Sequence, residues 1–160
     1  MESRAKLLGH PIHQMLIVFP LGLLGASVIF DILTLATGNP TWSGVAYWLI
    51  PAGLIGGLIA APFGTWDWLA IPGGTRAKSV GALHGGGNVL VLLLFAIGWW
   101  MRASPPRLPS MTELALSFIG LGLALATGWL GGELVARLGV GVDDGANLNA
   151  PNSITTKKAA

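Results

Sequence analysis

Long apolar stretches separated by short polar ones give this chain its outline. Four runs qualify as spans, approximately residues 14–36, 44–63, 82–101 and 114–136. A bilayer core about 30 Å thick takes roughly 20 residues of helix, and each run is close to that length. Lipid offers no partner for open backbone groups, and the chain lacks the alternating pattern of a membrane barrel, so the runs are predicted to be helices. The expected fold is an all-α, integral-membrane four-helix bundle. A short segment with His-Pro-x-His (residues 1–13) precedes the transmembrane domain (14–144). A polar tail (145–160) follows and is expected to be disordered.

Composition fits lipid as the solvent. The sequence is 52% hydrophobic and only 10% charged, where a soluble domain carries about a quarter charged residues. Basic residues set the expected orientation. With the N-terminus inside, Arg4, Lys6, Arg76, Lys78, Arg137, Lys157 and Lys158 are cytoplasmic, and only Arg102 and Arg107 are outside. Both termini are therefore expected in the cytoplasm. The first run exceeds a signal-peptide core and is read as a retained helix. Net charge is +2 with no basic stripe, which argues against a nucleic-acid partner. Without cysteine, thiolate clusters, covalent Cys-x-x-Cys-His haem and disulfides are excluded.

Tryptophans 42, 99 and 100 suit one interfacial belt, and Trp66, Trp68 and Trp129 the other. Many of the 24 glycines lie inside the spans, where small residues let helices approach closely.

The polar residues inside this frame converge. With alternating spans, His10 and His13 at the first entrance share a face of the membrane with His84 at the third. The exits of the second and fourth spans bring Trp66-Asp67-Trp68 and Glu133 to the same layer. His10 and His13, three apart, are expected on one helical face as ligand candidates. His84 and Asn88, four apart, share a face of the third span, and Gly85-Gly86-Gly87 beside them could clear room for a flat macrocycle. Interfacial capping by the histidines, and helix packing by Asn88 and the glycines, are the structural alternatives. Asp67 and Glu133 are candidates to orient an imidazole N–H, although Arg137 is a ready partner for Glu133. Asp31, deep in the first span, is expected to pair with Arg102. No hydrolase triad, phosphate-binding loop or dinucleotide fingerprint is present, so a catalytic set is not assigned. A weak duplication is also legible. Each half opens on a histidine and closes on a Gly/Thr/Trp cluster, Gly64-Thr65-Trp66-Asp67 in one and Thr127-Gly128-Trp129 before Glu133 in the other.

Between about Leu8 and Asp144 the sequence resembles a bacterial four-helix membrane family, domain of unknown function 2231. The resemblance rests on Gly-His-Pro-Ile-His-Gln-Met-Leu-Ile-Val-Phe-Pro, Trp-Asp-Trp, His84 with Asn88, and Gly-Trp-Leu-Gly-Gly-Glu-Leu-Val followed by Gly-Val-Gly-Val-Asp. It implies residence in the bacterial inner membrane. Similar domains are joined to Rieske or cytochrome c modules, which implies electron transfer. Similar members carry histidine where this chain has Leu138, so at most one haem site is expected here.

Three functions follow as expectations. The leading one is a membrane electron-transfer protein with a non-covalent b-type haem near the cytoplasmic face, held by His84 with His13 or His10 and serving a redox partner. The second is a non-enzymatic accessory subunit of a larger respiratory or photosynthetic complex, with homo-oligomers also allowed. The third is divalent-metal binding or transport built on His10-x-x-His13 with Asp67 or Glu133, His84 being a further ligand candidate.

Overall fold

The computed structural model describes residues 1–102 and 107–154. Four helical rods dominate it, each long and apolar enough to cross a membrane: Ile12–Thr37, Pro40–Ala70, Arg76–Met101 and Met111–Ala136. The first rod is two helices, α1 (Ile12–Leu16) and α2 (Val18–Thr37). The break at Ile17 has a local cause. Pro20 has no N–H to offer the Leu16 carbonyl, so the helix restarts with proline in its first turn. The other rods are α3 (Pro40–Ala70), α4 (Arg76–Met101) and α5 (Met111–Ala136).

Sequence signals set most helix ends. Gly38 closes α2 with φ at 66°, which costs glycine little. Asn39 caps α3 by accepting from the Thr41 N–H at 3.0 Å, with Pro40 at the first helical position. Ser110 and Glu113 form a reciprocal capping box at the start of α5. The prolines at 105 and 106, expected in the loop before α5, lie outside the described residues.

Helix α2 packs most extensively on α3, and α4 on α5, so the bundle is two antiparallel hairpins joined along α3/α4 and α2/α5. Leu24, Val28, Ile50, Val91 and Phe95 form the buried core where they meet. Large apolar side chains elsewhere point outward. Trp48, Trp66, Trp100 and Trp129 are all exposed, as expected for surfaces in contact with lipid and its interfaces.

Two expectations are corrected here. The spans expected at 44–63 and 82–101 both extend into the stretch between them. Trp66-Asp67-Trp68 is the last turn of α3, and α4 already begins at Arg76, which leaves only 71–75 between them. The charged residues that ended the apolar runs are compatible with helix beyond the hydrocarbon layer. Thr75 caps α4 through the Lys78 N–H, while Lys78 Nζ donates to the Trp68 carbonyl at 2.8 Å and lies 4.0 Å from the Trp68 ring centre. Second, His10 and His13 do not share a helical turn. His10 pairs with Leu7 in a two-residue ladder of β1 (Lys6–Leu7) and β2 (His10–Pro11), and α1 starts only at Ile12. Leu8 and Gly9, both at positive φ, make the tight turn between these strands. The tail is described through Ile154. It turns at Asn147 and returns to the N-terminal hairpin, where Ser153 lies 3.2 Å from His10 Nε2. Lys157 and Lys158 lie outside the described residues.

Candidate functional site

Two of the three histidines meet. The rings of His13 and His84 lie 6.3 Å apart, centre to centre, with their planes at 86°. Each imidazole reaches across its own hairpin. His13 Nδ1 is 3.0 Å from the Ala60 carbonyl of α3, and His84 Nδ1 is 2.8 Å from the Thr127 carbonyl of α5. A carbonyl only accepts, so in both rings Nδ1 carries the hydrogen. In the neutral ring the lone pair is then on Nε2.

One turn beyond each carbonyl is the glycine that admits the ring. A Cβ on Gly64 would lie 2.7 Å from His13 Cε1, and one on Gly131 would lie 3.1 Å from His84 Cε1. These two glycines are the packing requirement of the site, and the sequence reading missed them. It had singled out Gly85-Gly86-Gly87, of which Gly85 and Gly86 face open space and Gly87 meets the Thr127 methyl.

The same offsets run the length of the bundle. His84 follows His13 by 71 positions, Phe95 follows Leu24 by 71, and Arg102 follows Asp31 by 71. On the partner helices, Gly131 follows Gly64 by 67 and Gly120 follows Gly53 by 67. The contacts repeat with them: Gly53 packs on Leu24, and Gly120 on Phe95. The two hairpins are therefore pseudo-equivalent. Their register aligns Gly64 with Gly131, not with the Thr127-Gly128-Trp129 cluster.

The two imidazoles differ in one respect. His84 Nε2 lies 3.2 Å from the Asn88 amide nitrogen, which also donates to the His84 carbonyl at 2.9 Å. Thr127 Oγ1 lies 2.9 Å from Asn88 Oδ1 and 3.1 Å from the Ala124 carbonyl, so its single proton is shared between two acceptors. These bonds orient the amide with its nitrogen toward His84. At the position equivalent to Asn88 the first hairpin has Ile17. His13 Nε2 has no hydrogen-bond partner among the described residues.

The carboxylates expected beside the imidazoles are used elsewhere. Asp67 binds the N-terminal segment, accepting from Ser3 Oγ at 2.6 Å and from the Arg4 and Ala5 amides. The imidazole Nδ1–H groups are already taken by main-chain carbonyls, and Asp67 is filled by three donors of the N-terminal segment. Glu133 pairs with Arg76 at 2.6 Å, not with Arg137 and not with a histidine. His10 is exposed and meets Ser153, away from the pair.

Toward the opposite end of the bundle, Arg102 makes a two-pronged contact with Asp31 at 2.8 and 2.6 Å and reaches Ser117 at 3.1 Å. Asp31 is fully buried. A buried pair in this geometry is a structural clamp between α2, α4 and α5.

The sequence pattern of the family described as "Predicted membrane protein (DUF2231)" matches residues 9–144. The chain belongs to this family. No curated protein and no solved structure matches it. The matched span runs from the turn before His10 to the end of the Gly-Val-Gly-Val-Asp segment, and so takes in all four apolar helices and the His13–His84 pair. The family description specifies membrane residence, and four membrane-capable helices are its structural counterpart.

Proposed function

We propose that this chain is a membrane electron-transfer protein that holds a b-type haem between His13 and His84. The bundle lies in the bacterial inner membrane with both termini and the histidine layer on the cytoplasmic side, as the basic residues favour. The observation that carries the reading is the opposed imidazole pair, with ring centres 6.3 Å apart and planes nearly perpendicular. Imidazole is an ordinary ligand of haem iron, and His13 and His84, one from each hairpin, are the residues that would hold it. Both rings are fixed through Nδ1–H to main-chain carbonyls, which leaves the lone pair on Nε2; in His84 that lone pair meets the Asn88 amide. The donor types are those a haem iron would take, and the Asn88 amide would have to leave His84 Nε2 for it to bind.

When bound, the haem supplies one-electron chemistry. The chain's part is to orient both imidazoles, hold their tautomers and keep bulk water from the pair within an apolar bundle. A lipid-side or peripheral redox carrier is the partner this function requires.

The test is the absorption spectrum of detergent-purified protein made with ample haem, oxidised and dithionite-reduced. A Soret band with sharp reduced α and β bands, abolished in His13→Ala, is the expected result. A featureless spectrum from folded protein would overturn the reading. The accessory-subunit alternative would then lead, with stable copurification in a larger complex as its test. It draws on the exposed small positions Gly128 and Gly132 of α5, where an added Cβ would meet nothing within 4 Å. The third expectation, a divalent-metal site on His10-x-x-His13, is not carried further, because His10 sits on β2 beside Ser153.

A further inference from the structure

We infer that the seam between the first two rods holds one acyl chain of a phospholipid from the leaflet on the histidine side. The inference is independent of what the imidazoles hold.

A groove of about 420 Å³ runs along that seam, with Leu16, Phe19 and Leu23 on one wall and Ala52, Gly56 and Ile59 on the other. Every residue that lines it is apolar. Gly56 forms its floor. A Cβ there would meet Phe19 Cβ at 2.9 Å and Pro20 Cδ at 3.3 Å, so the two helices close together behind the groove. Phe19, Ile55 and Ile59 are exposed and form its rim.

Depth decides the occupant. Trp66 lies seven residues beyond Ile59, two turns on along the same face of α3, and is exposed as a headgroup-level tryptophan should be. At a rise of about 1.5 Å per residue, Ile59 sits about 10 Å and Ala52 about 21 Å below Trp66. Half of a hydrocarbon core is about 15 Å, so the groove lies at the level of acyl chains and reaches the bilayer centre. No water is available there to fill a gap, and van der Waals fit selects the occupant. One wall passes through the helix break at Ile17, with Leu16 before it and Phe19 after it. A flexible chain follows such a wall, whereas a straight helix of a second copy would leave voids along it.

The groove belongs to one hairpin's sequence. At the offset of 67, small and large residues trade places: Ala52 with Ile119, Ile55 with Gly122, Gly56 with Leu123 and Ile59 with Ala126. A seam that merely followed from the duplicated fold would keep one pattern in both halves.

The test uses the full-length protein, delipidated in mild detergent and titrated with dioleoylphosphatidylglycerol, with intact complexes counted by native mass spectrometry. Wild type is compared with Ala52→Phe, Ala52→Ile and Leu58→Phe. Positions 52 and 58 are both exposed on α3, but only Ala52 lines the groove. Wild type should bind one lipid per chain ahead of any others. Ala52→Phe should weaken that first lipid at least five-fold, the size expected from losing on the order of ten carbon–carbon contacts. Ala52→Ile, which installs the residue that the second hairpin carries at 119, should act in the same direction and covers the case in which Ala52→Phe does not fold. Leu58→Phe should bind as wild type does. Dioleoylphosphatidylcholine should bind equally well, because the groove meets the chain and not the headgroup. No distinct first lipid, or one equally strong in all three variants, would overturn the inference. A strong headgroup preference would overturn it by moving the site to the interface, and a protein dimer without lipid would overturn it by making a second copy the occupant.

Discussion

Asp31 and Arg102 occupy equivalent positions of the two hairpins, 71 residues apart, and meet each other across the bundle as a buried two-pronged ion pair. Equivalent positions approach one another only where a pseudo-twofold axis passes between them. The duplicated hairpin has therefore diverged to opposite charges at its own symmetry axis. Removing one partner leaves the other charge buried and unpaired, which costs about 3–5 kcal/mol, whereas a well-packed apolar pair is often neutral. Asp31→Ala and Arg102→Ala should each lower the thermal unfolding midpoint sharply in detergent, and Asp31→Leu with Arg102→Met should recover most of the loss. Additive damage in the double variant would show that the pair does not act as a unit.

The ion pair at the other end carries much less. Arg76 is largely exposed where it meets Glu133, with 61% of its side chain accessible. Exposed pairs contribute about 1 kcal/mol or less. Glu133→Gln should shift the unfolding midpoint only slightly and leave any haem spectrum unchanged, because Glu133 touches neither imidazole. A spectral change in that variant would mean that Glu133 orients a histidine after all.

Glycine at two positions is a condition for the imidazole layer. A methyl group on Gly64 would meet His13 at 2.7 Å, and one on Gly131 would meet His84 at 3.1 Å. Each ring is also tied to a carbonyl on the same helix, so it cannot move without losing that bond. Gly64→Ala should disturb the site strongly, Gly131→Ala less, and Gly25→Ala, with nothing within 4 Å, should be neutral or slightly stabilising. Hemin titration beside thermal unfolding checks the order. Equal behaviour of Gly64→Ala and Gly25→Ala would show that the ring has room to spare.

Hydropathy made the four rods legible because lipid penalises every alternative backbone. The Asp31–Arg102 contact could be named from sequence for a related reason, since a charge buried in a span requires a partner. What stayed hidden was mostly main chain. The groups that orient His13 and His84 are the carbonyls of Ala60 and Thr127, and a carbonyl has no residue type. Gly64 and Gly131 were invisible as a pair until the hairpins were aligned at an offset of 67, because glycine is common throughout the spans. The carboxylates misled for a different reason. Asp67 and Glu133 do reach the histidine face, but proximity to a layer does not choose among competing donors. Ser3, Arg4 and Ala5 claim Asp67, and Arg76 claims Glu133.

Those N-terminal residues belong to a clasp whose pH dependence follows from its charges. Lys6 Nζ pairs with Glu2 at 2.5 Å and with Asp143 at 3.6 Å, while the Met1 ammonium donates to the Gly139 carbonyl. The hydrogen bond to Glu2 raises the Lys6 ammonium above its ordinary value, with the negative charges of Glu2 and Asp143 acting the same way. The Gly145 N–H and the Lys6 charge hold the Asp143 carboxyl below its ordinary range. A raised ammonium contributes stability that is complete below the unfolded value and disappears as pH rises through the folded one. A lowered carboxyl contributes stability that is complete above the unfolded value and disappears as pH falls through the folded one. The clasp should therefore be intact from about pH 4 to about pH 10, weakening only as pH falls through the lowered Asp143 value or rises through the raised Lys6 value. Hydrogen exchange of residues 1–7, measured across and beyond that range in detergent, should give a flat plateau with acid and alkaline shoulders, and Lys6→Gln should remove the alkaline one. A step inside the plateau would show that the Lys6 pairs do not govern the clasp.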